Sequence, residues 1–136
     1  MIFVTRIEHF NAAHKLWNDR WTPEMNKEVF GKCSNPNFHG HNYELHVTVK
    51  GEPNPDTGFV MNAKTLGDLI KTKIVEVVDH CNLNMDVPFL FGKFTSAENL
   101  AIGIWNELKD EIELQHCTLH CVKLIETRSI YVEYYG

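Results

Sequence analysis

The sequence predicts an α+β domain in which an antiparallel sheet carries two helices on one face. Segments rich in β-branched and aromatic residues stand in pairs at both ends of the chain. Between them, two stretches repeat apolar residues at three and four spacings, as amphipathic helices do. The resulting order, β-β-α-α-β-β with hairpin-linked strands at both ends, favours this layout. The length of 136 residues fits one domain over residues 1–136.

The first two strands are predicted over residues 2–13 and 39–50. The segment between them, residues 17–38, is polar and interrupted by two prolines and a glycine, so we expect a long loop there. Alternation along the second strand places an apolar set and two histidines on one face. That face consists of His39, His41, Tyr43, Leu45, Val47 and Val49.

Two helices are predicted over about residues 63–78 and 95–112, and two further strands over about 118–127 and 130–135. The second helix begins at Thr95-Ser96-Ala97-Glu98, which matches a capping box. Four strands leave two open sheet edges, and open edges invite pairing with another copy of the chain. We therefore expect the sheet to continue across subunits.

Composition and sequence pattern argue against several classes of protein. The formal net charge of −5 does not favour nucleic-acid binding, which usually needs a basic face. No apolar run approaches the roughly 18–20 residues that span a bilayer, and the first residues lack the pattern of a signal peptide. The four cysteines do not form a dense framework, so free thiols in a reducing cytoplasm are expected.

Three histidines have the spacing of a metal site. His39 and His41 flank Gly40 in a strand, which puts both imidazoles on one face. His14, at the end of the neighbouring strand, is expected to complete a cup of three nitrogens. Three protein ligands with one open position are typical of catalytic zinc.

Two other groups near these histidines carry reactive chemistry. Cys33 lies six positions before His39 and is as well suited to be a reactive thiol as a fourth metal ligand. Asp79 and His80 follow the first helix. Such a pair can hold a general acid or base in one tautomer, or simply end the helix with polar residues.

Glu126 stands on the same strand face as Val122 and Leu124. An acid on an apolar face is costly unless it is paired. Its carboxylate therefore either forms a salt bridge at the strand's end or accepts two hydrogen bonds from a flat, donor-rich heterocycle.

Several motifs together resemble the 6-pyruvoyl-tetrahydropterin synthase family over nearly the whole chain. FNAAH (Phe10–His14) is similar to the first metal motif, and CSNPNFHGHNY (Cys33–Tyr43) is similar to the joint nucleophile and metal motif. VDHCNLN (Val78–Asn84) resembles the segment with the catalytic Asp-His pair. SAEN (Ser96–Asn99) opens the second helix as in the family, and Glu126-Thr127 resembles the pterin anchor. Each motif is weak alone, but their order and spacing are specific.

The resemblance implies a zinc-dependent lyase acting on 7,8-dihydroneopterin triphosphate. It implies Zn²⁺ on His14, His39 and His41. It implies proton transfer by Cys33, Asp79 and His80, and a pterin held by Glu126. It also implies the tunnelling fold (T-fold), in which three subunits close a barrel. Two such trimers stack into a homohexamer with active sites between subunits.

Three other functions stay open from the sequence. The sister 6-carboxy-tetrahydropterin synthase uses the same fold, metal and substrate on the route to deazapurines such as queuosine. A zinc-stabilised assembly module without catalysis and a three-histidine zinc hydrolase are the other two. The residues that bind the triphosphate are not identified, and Lys32 and Arg128 are candidates only because of their charge.

Overall fold

A computed structural model describes residues 1–136 as a five-stranded sheet with helices packed against it. The strands are β1 (Ile2–His14), β2 (His39–Gly51), β3 (Cys81–Asn82), β4 (Thr118–Thr127) and β5 (Ile130–Tyr134). The helices are α1 (Pro23–Phe30), α2 (Ala63–Ile70), α3 (Glu76–Val78) and α4 (Ala97–Glu113). The predicted α+β class is therefore confirmed, and α2 packs against β1 while α4 packs against β4 and β5.

The sheet order is β3-β1-β2-β4-β5. The β1–β2, β2–β4 and β4–β5 pairs are antiparallel, whereas β3 runs parallel to β1. The prediction of four strands in a purely antiparallel sheet was thus wrong at this edge. Because β3 contains only Cys81 and Asn82, it is too short to produce an alternating sequence pattern.

The first predicted helix, residues 63–78, is present as one helical stretch. It consists of α2, a π-helical segment over Lys71–Val75, and α3. Its buried stripe has the expected spacing of three and four residues. The stripe is formed by Leu66, Ile70, Ile74 and Val78, all fully buried.

The expectation of a long loop over residues 17–38 was wrong, because this segment contains α1 and a 3₁₀ turn over Gly31–Ser34. The Thr22 hydroxyl caps α1 by accepting from the Met25 N–H at 3.1 Å. Pro23 occupies the first helical turn, where its missing N–H costs nothing. Gly31 ends the helix with φ of +57°, a conformation that glycine adopts without strain.

The cap of α4 lies one residue later than the sequence predicts. Ser96, not Thr95, is the N-cap, and its hydroxyl accepts from the Asn99 N–H at 3.3 Å. Thr95 is thereby free for other contacts. None of the helices has the length and apolar content needed to cross a bilayer.

Candidate metal centre and active-site cavity

The ends of β1 and β2 bring three histidines together. In the antiparallel register His14 lies opposite His39, and Ala12 lies opposite His41. The strands approach closely here, because a Cβ on Gly40 would lie only 3.3 Å from the Ala12 carbonyl oxygen. One ring nitrogen from each histidine lies within 4.8 Å of the others, so the trio could hold a metal ion.

The orientation of the His14 ring is fixed by the residue before the α4 cap. Its Nδ1–H donates to the Thr95 carbonyl oxygen at 2.6 Å, and the ring is 2% exposed. This tautomer leaves the lone pair on Nε2, which lies 3.1 Å from Nε2 of His41. A hydrogen bond to the outer nitrogen of a metal-binding histidine is the usual arrangement in metalloproteins.

The chemistry of the cluster fits a metal ion. Both ring nitrogens of His39 and the hydroxyl of Tyr43 are buried and have no hydrogen-bond partner within the chain. Such orphaned polar atoms are rare in folded proteins and need an explanation. Imidazole nitrogens suit zinc and several other transition metals, so a metal at the cluster would satisfy one of the two His39 nitrogens that the chain leaves unpaired.

Burial keeps the three rings in the form that binds metals. Desolvation is the largest cause that lowers the pKa of His14, His39 and His41 below the ordinary histidine value. The neutral imidazole is therefore favoured, and only that form can coordinate an ion.

Cys33 reaches the same place from the 3₁₀ turn. Its carbonyl oxygen accepts from the Leu16 N–H at 2.8 Å, which fastens the turn to the chain just beyond β1. Its half-buried thiol lines a cavity of about 130 Å³ together with His14 and Glu126. The cluster of ligand atoms does not include Cys33, so the geometry favours a thiol beside the metal over a fourth ligand.

Glu126 faces this cavity from the end of β4. Its side chain is only 17% exposed, and one carboxylate oxygen lies 3.8 Å from Nε2 of His41. No Lys or Arg forms an ion pair with it. The carboxylate therefore has acceptor capacity that the chain's own cations leave unused.

The structure places Asp79 and His80 elsewhere. The Asp79 carboxylate lies 3.0 Å from Nδ1 of His80 and accepts from the Asn11 N–H at 2.8 Å. The Asn11 N–H is the main cause that lowers the pKa of Asp79. The His80 side chain is 83% exposed, and neither residue lines the cavity of Cys33 and Glu126.

His80 also has an unusual backbone. Its φ is +59°, a left-handed conformation that costs energy for a residue with a side chain. The backbone N–H of His80 donates to the Asn11 carbonyl oxygen at 2.6 Å and holds this conformation. The Asp79–His80 pair thus lies at the edge of the sheet, with the His80 side chain facing solvent.

Two residues that the sequence assigned to a helix cap also belong to the site. Thr95 orients His14, and Glu98 lines the cavity beside Ala97 and Glu126. The only sequence signal was the capping box itself, which explains a Thr and a Glu without any further role.

Comparison with known proteins agrees with this geometry. The family model for 6-pyruvoyl tetrahydropterin synthase matches residues 3–136. The 6-pyruvoyl tetrahydrobiopterin synthase of Pongo abelii is 43% identical over 133 residues, covering 98% of this chain and 90% of that protein. This chain belongs to the 6-pyruvoyl tetrahydropterin synthase family. The assignment extends over essentially its whole length.

A solved structure and a more distant sequence relative bear on the same family. The Caenorhabditis elegans 6-pyruvoyl tetrahydropterin synthase superposes with a TM-score of 0.92 at 35% identity, covering 99% of this chain and 95% of that one. The 6-carboxy-5,6,7,8-tetrahydropterin synthase of Rickettsia bellii is more distant, with 27% identity over 150 residues, covering 98% of this chain and 99% of that protein. Within the family, the chain is therefore closer to the first two proteins.

Proposed function

We propose that this chain is a zinc-dependent lyase that converts 7,8-dihydroneopterin triphosphate to 6-pyruvoyl-tetrahydropterin with release of triphosphate. Membership of the 6-pyruvoyl tetrahydropterin synthase family supports the reaction class. The observation that carries the proposal is a single cavity lined by a thiol, a carboxylate and one of three clustered neutral histidines.

His14, His39 and His41 would hold the Zn²⁺ ion. When bound there, the ion supplies Lewis-acid chemistry to the hydroxyl groups of the substrate's side chain. The chain's own contribution is orientation, since the Thr95 carbonyl fixes the His14 tautomer and close strand pairing at Gly40 sets the ring spacing.

Cys33 is the proposed base for a carbon-bound proton. Its thiol borders the same cavity as His14, within reach of a substrate positioned beside the cluster. Asp79 and His80 are the proposed proton shuttle. The Asp79 carboxylate engages Nδ1 of His80, which leaves Nε2 free to exchange a proton with substrate.

Glu126 is the proposed anchor for the pterin. A carboxylate accepts two parallel hydrogen bonds, which matches the adjacent amino and ring N–H donors of the heterocycle. Because the side chain is largely buried, water competes little for these bonds. Glu98 offers a second carboxylate at the same cavity.

The overall reaction balances without a redox cofactor. Oxidation of one side-chain hydroxyl carbon to a carbonyl is matched by reduction of the pterin ring within the same molecule. Formation of the second carbonyl is matched by conversion of the terminal CH2–O carbon to a methyl group as triphosphate is eliminated. The protons move between carbon, oxygen and nitrogen, and triphosphate departs with its bonding electron pair. Proton-transfer groups are therefore sufficient on the protein side.

We further propose that the chain works as a homohexamer of two trimers in a reducing cytoplasm. The open sheet edges at β3 and β5 favour pairing with other copies. All four cysteines are unpaired, as expected for an enzyme whose thiol must stay reduced.

The deciding experiment is mass analysis of the products formed from 7,8-dihydroneopterin triphosphate by zinc-loaded protein. We expect a 6-pyruvoyl product and free triphosphate. Cys33→Ala should lower the rate by roughly 10²–10⁴-fold, whereas Cys121→Ala, which removes a thiol outside the cavity, should not.

A 6-carboxy product with acetaldehyde would keep the site but assign the chain to the sister reaction. If neither the 6-pyruvoyl nor the 6-carboxy product forms although zinc occupancy is full, the proposed function is contradicted. Hydrolysis of simple esters without any pterin reaction would indicate a zinc hydrolase.

A further inference from the structure

A groove separate from the metal cavity gathers three cationic side chains. Its volume is about 610 Å³, and Lys15, Arg20 and Lys93 line it together with the carboxylate of Asp19. None of the three cations takes part in an ion pair of the chain. In a protein whose net charge is −5, this local excess of positive charge indicates an anion-binding surface.

The position of Arg20 is set by buried amides. Asn18, only 6% exposed, accepts from the Arg20 backbone N–H at 3.0 Å and from its Nε at 3.4 Å. Asn26, fully buried in α1, in turn pairs with the backbone N–H and carbonyl of Asn18 at 2.7 and 3.0 Å. The terminal guanidinium nitrogens of Arg20 are left for a ligand, in a planar array that suits phosphate.

Lys15 is oriented by aromatic rings. Its Nζ lies 5.7 Å from the centroid of Trp17 and 5.0 Å from that of Phe38. Cation–π contacts of this kind hold an ammonium group in place without neutralising its charge. Lys93 contributes a third positive charge from the loop after Gly92.

The groove and the metal cavity share a wall. Along the extended chain after β1, His14 and Leu16 line the cavity, whereas Lys15 and Trp17 line the groove. Thr95 supports both sides of this wall. Its hydroxyl donates to the Lys15 carbonyl at 3.2 Å, and its own carbonyl accepts from the His14 ring.

We propose that this groove binds a polyphosphate chain. Guanidinium and ammonium groups without carboxylate partners are the groups that recognise phosphate oxygens. Two sources share this chemistry, namely the triphosphate tail of the proposed substrate and a separate polyphosphate such as a nucleotide. The first source rests on the proposed function. Lys32 and Arg128, suggested by charge alone, line neither the groove nor the cavity.

The test is calorimetric titration of the zinc-loaded protein with inorganic tripolyphosphate. Arg20→Gln and Lys93→Gln change exposed side chains, so the fold should be kept. We expect each to weaken binding roughly three- to tenfold and the double variant to weaken it by more than about tenfold. Lys109→Gln removes an exposed charge on α4 that does not line the groove, and this variant should bind within about twofold of the unchanged protein.

Chelation of zinc by tripolyphosphate would be equal in all variants and cannot produce this pattern. Equal affinity of the double variant and the unchanged protein would overturn the proposal. Lys15 is kept unchanged because it directly follows a candidate metal ligand.

Steady-state kinetics identify the source of the polyphosphate. If the substrate's tail occupies the groove, the double variant raises KM for 7,8-dihydroneopterin triphosphate by about tenfold with kcat retained. Inhibition by phosphate-free dihydroneopterin should then be unchanged. An unaltered KM with weakened tripolyphosphate and ATP binding would assign the groove to a separate nucleotide.

These readouts also separate the two proposals. Variant-dependent tripolyphosphate binding in a protein without synthase activity would contradict the proposed function and keep the groove. Synthase activity, with tripolyphosphate binding and KM that are the same in all variants, would keep the proposed function and contradict the proposed groove.

Discussion

His14 is prepared for metal binding by a contact distant in sequence. Because Nδ1–H is committed to the Thr95 carbonyl, Nε2 must present a lone pair toward the cluster. His39 complements it, since both of its ring nitrogens are buried without a partner. A metal ion at the cluster would satisfy one of these nitrogens, which the chain itself leaves without a partner.

Replacing His39 by Ala should therefore remove the metal. We expect zinc affinity to fall by more than about hundredfold, because two remaining imidazoles make an incomplete site. Metal content after dialysis, measured by plasma mass spectrometry, checks this. His46→Ala is the matched control, because His46 lies on the same strand but bonds to Glu44 at 2.6 Å outside the cluster.

Chelation should also lower the melting temperature of the unchanged protein and of the His46 variant, but not that of the His39 variant. Retention of one zinc per chain by His39→Ala would show that another residue supplies the third ligand.

At this scale the sequence was informative where strand alternation alone decides which side chains meet. The grouping of His14, His39 and His41 follows from the period of two and from pairing of β1 with β2. Thr95 could not be found in the same way, because its role depends on a contact with His14, 81 residues away in sequence. The predicted cap was one residue early, which hid that role.

Helix α1 shows why an element can be missed. Its apolar residues Met25 and Val29 are exposed, and its buried residue is the polar Asn26. So short a helix, with so few apolar residues, gives no clear apolar stripe in the sequence. The local signals were the cap Thr22 and the following Pro23, which do indicate a helix start.

Asn26 should accordingly matter more than its polarity suggests. Asn26→Ala would leave the buried backbone N–H of Asn18 without a partner and remove one of the two donors to the Asn18 carbonyl, which also accepts from the Trp21 N–H at 3.1 Å. We expect the free energy of unfolding to fall by roughly 2–3 kcal/mol. Urea denaturation followed by circular dichroism measures it.

Asn106→Ala, an exposed change of the same kind on α4, is the matched control and should alter stability by less than about 0.5 kcal/mol. A loss of stability no larger than the control's would mean that the 17–22 segment does not depend on the buried amide.

Within one chain, the proposed catalytic residues lie in two separate places. Cys33 and Glu126 line one cavity, but the Asp79–His80 pair that would complete the chemistry does not. That pair lies beside β3, at an open edge of the sheet, with His80 83% exposed. If all four residues act on one substrate, a second copy of the chain must bring its Asp79 and His80 to this cavity.

Subunit mixing tests this arrangement. Cys33→Ala and His80→Ala should each lower activity by roughly 10²–10⁴-fold. After co-refolding at equal amounts, about one site in four combines an intact Cys33 with an intact His80 from the neighbouring copy, so about a quarter of the activity should return. Light scattering should give a mass near six times 15.8 kDa.

A mixture of Cys33→Ala and Glu126→Gln is the matched control. Both residues line the cavity of the same subunit, so no combination of these chains rebuilds an intact site. Recovery of activity in the first mixture only would mean that Asp79 and His80 of one subunit act at the cavity of a neighbouring subunit. No recovery in mixed hexamers, or a monomeric mass for the active protein, would require the pair and the cavity to meet within one chain, which the geometry of this fold opposes.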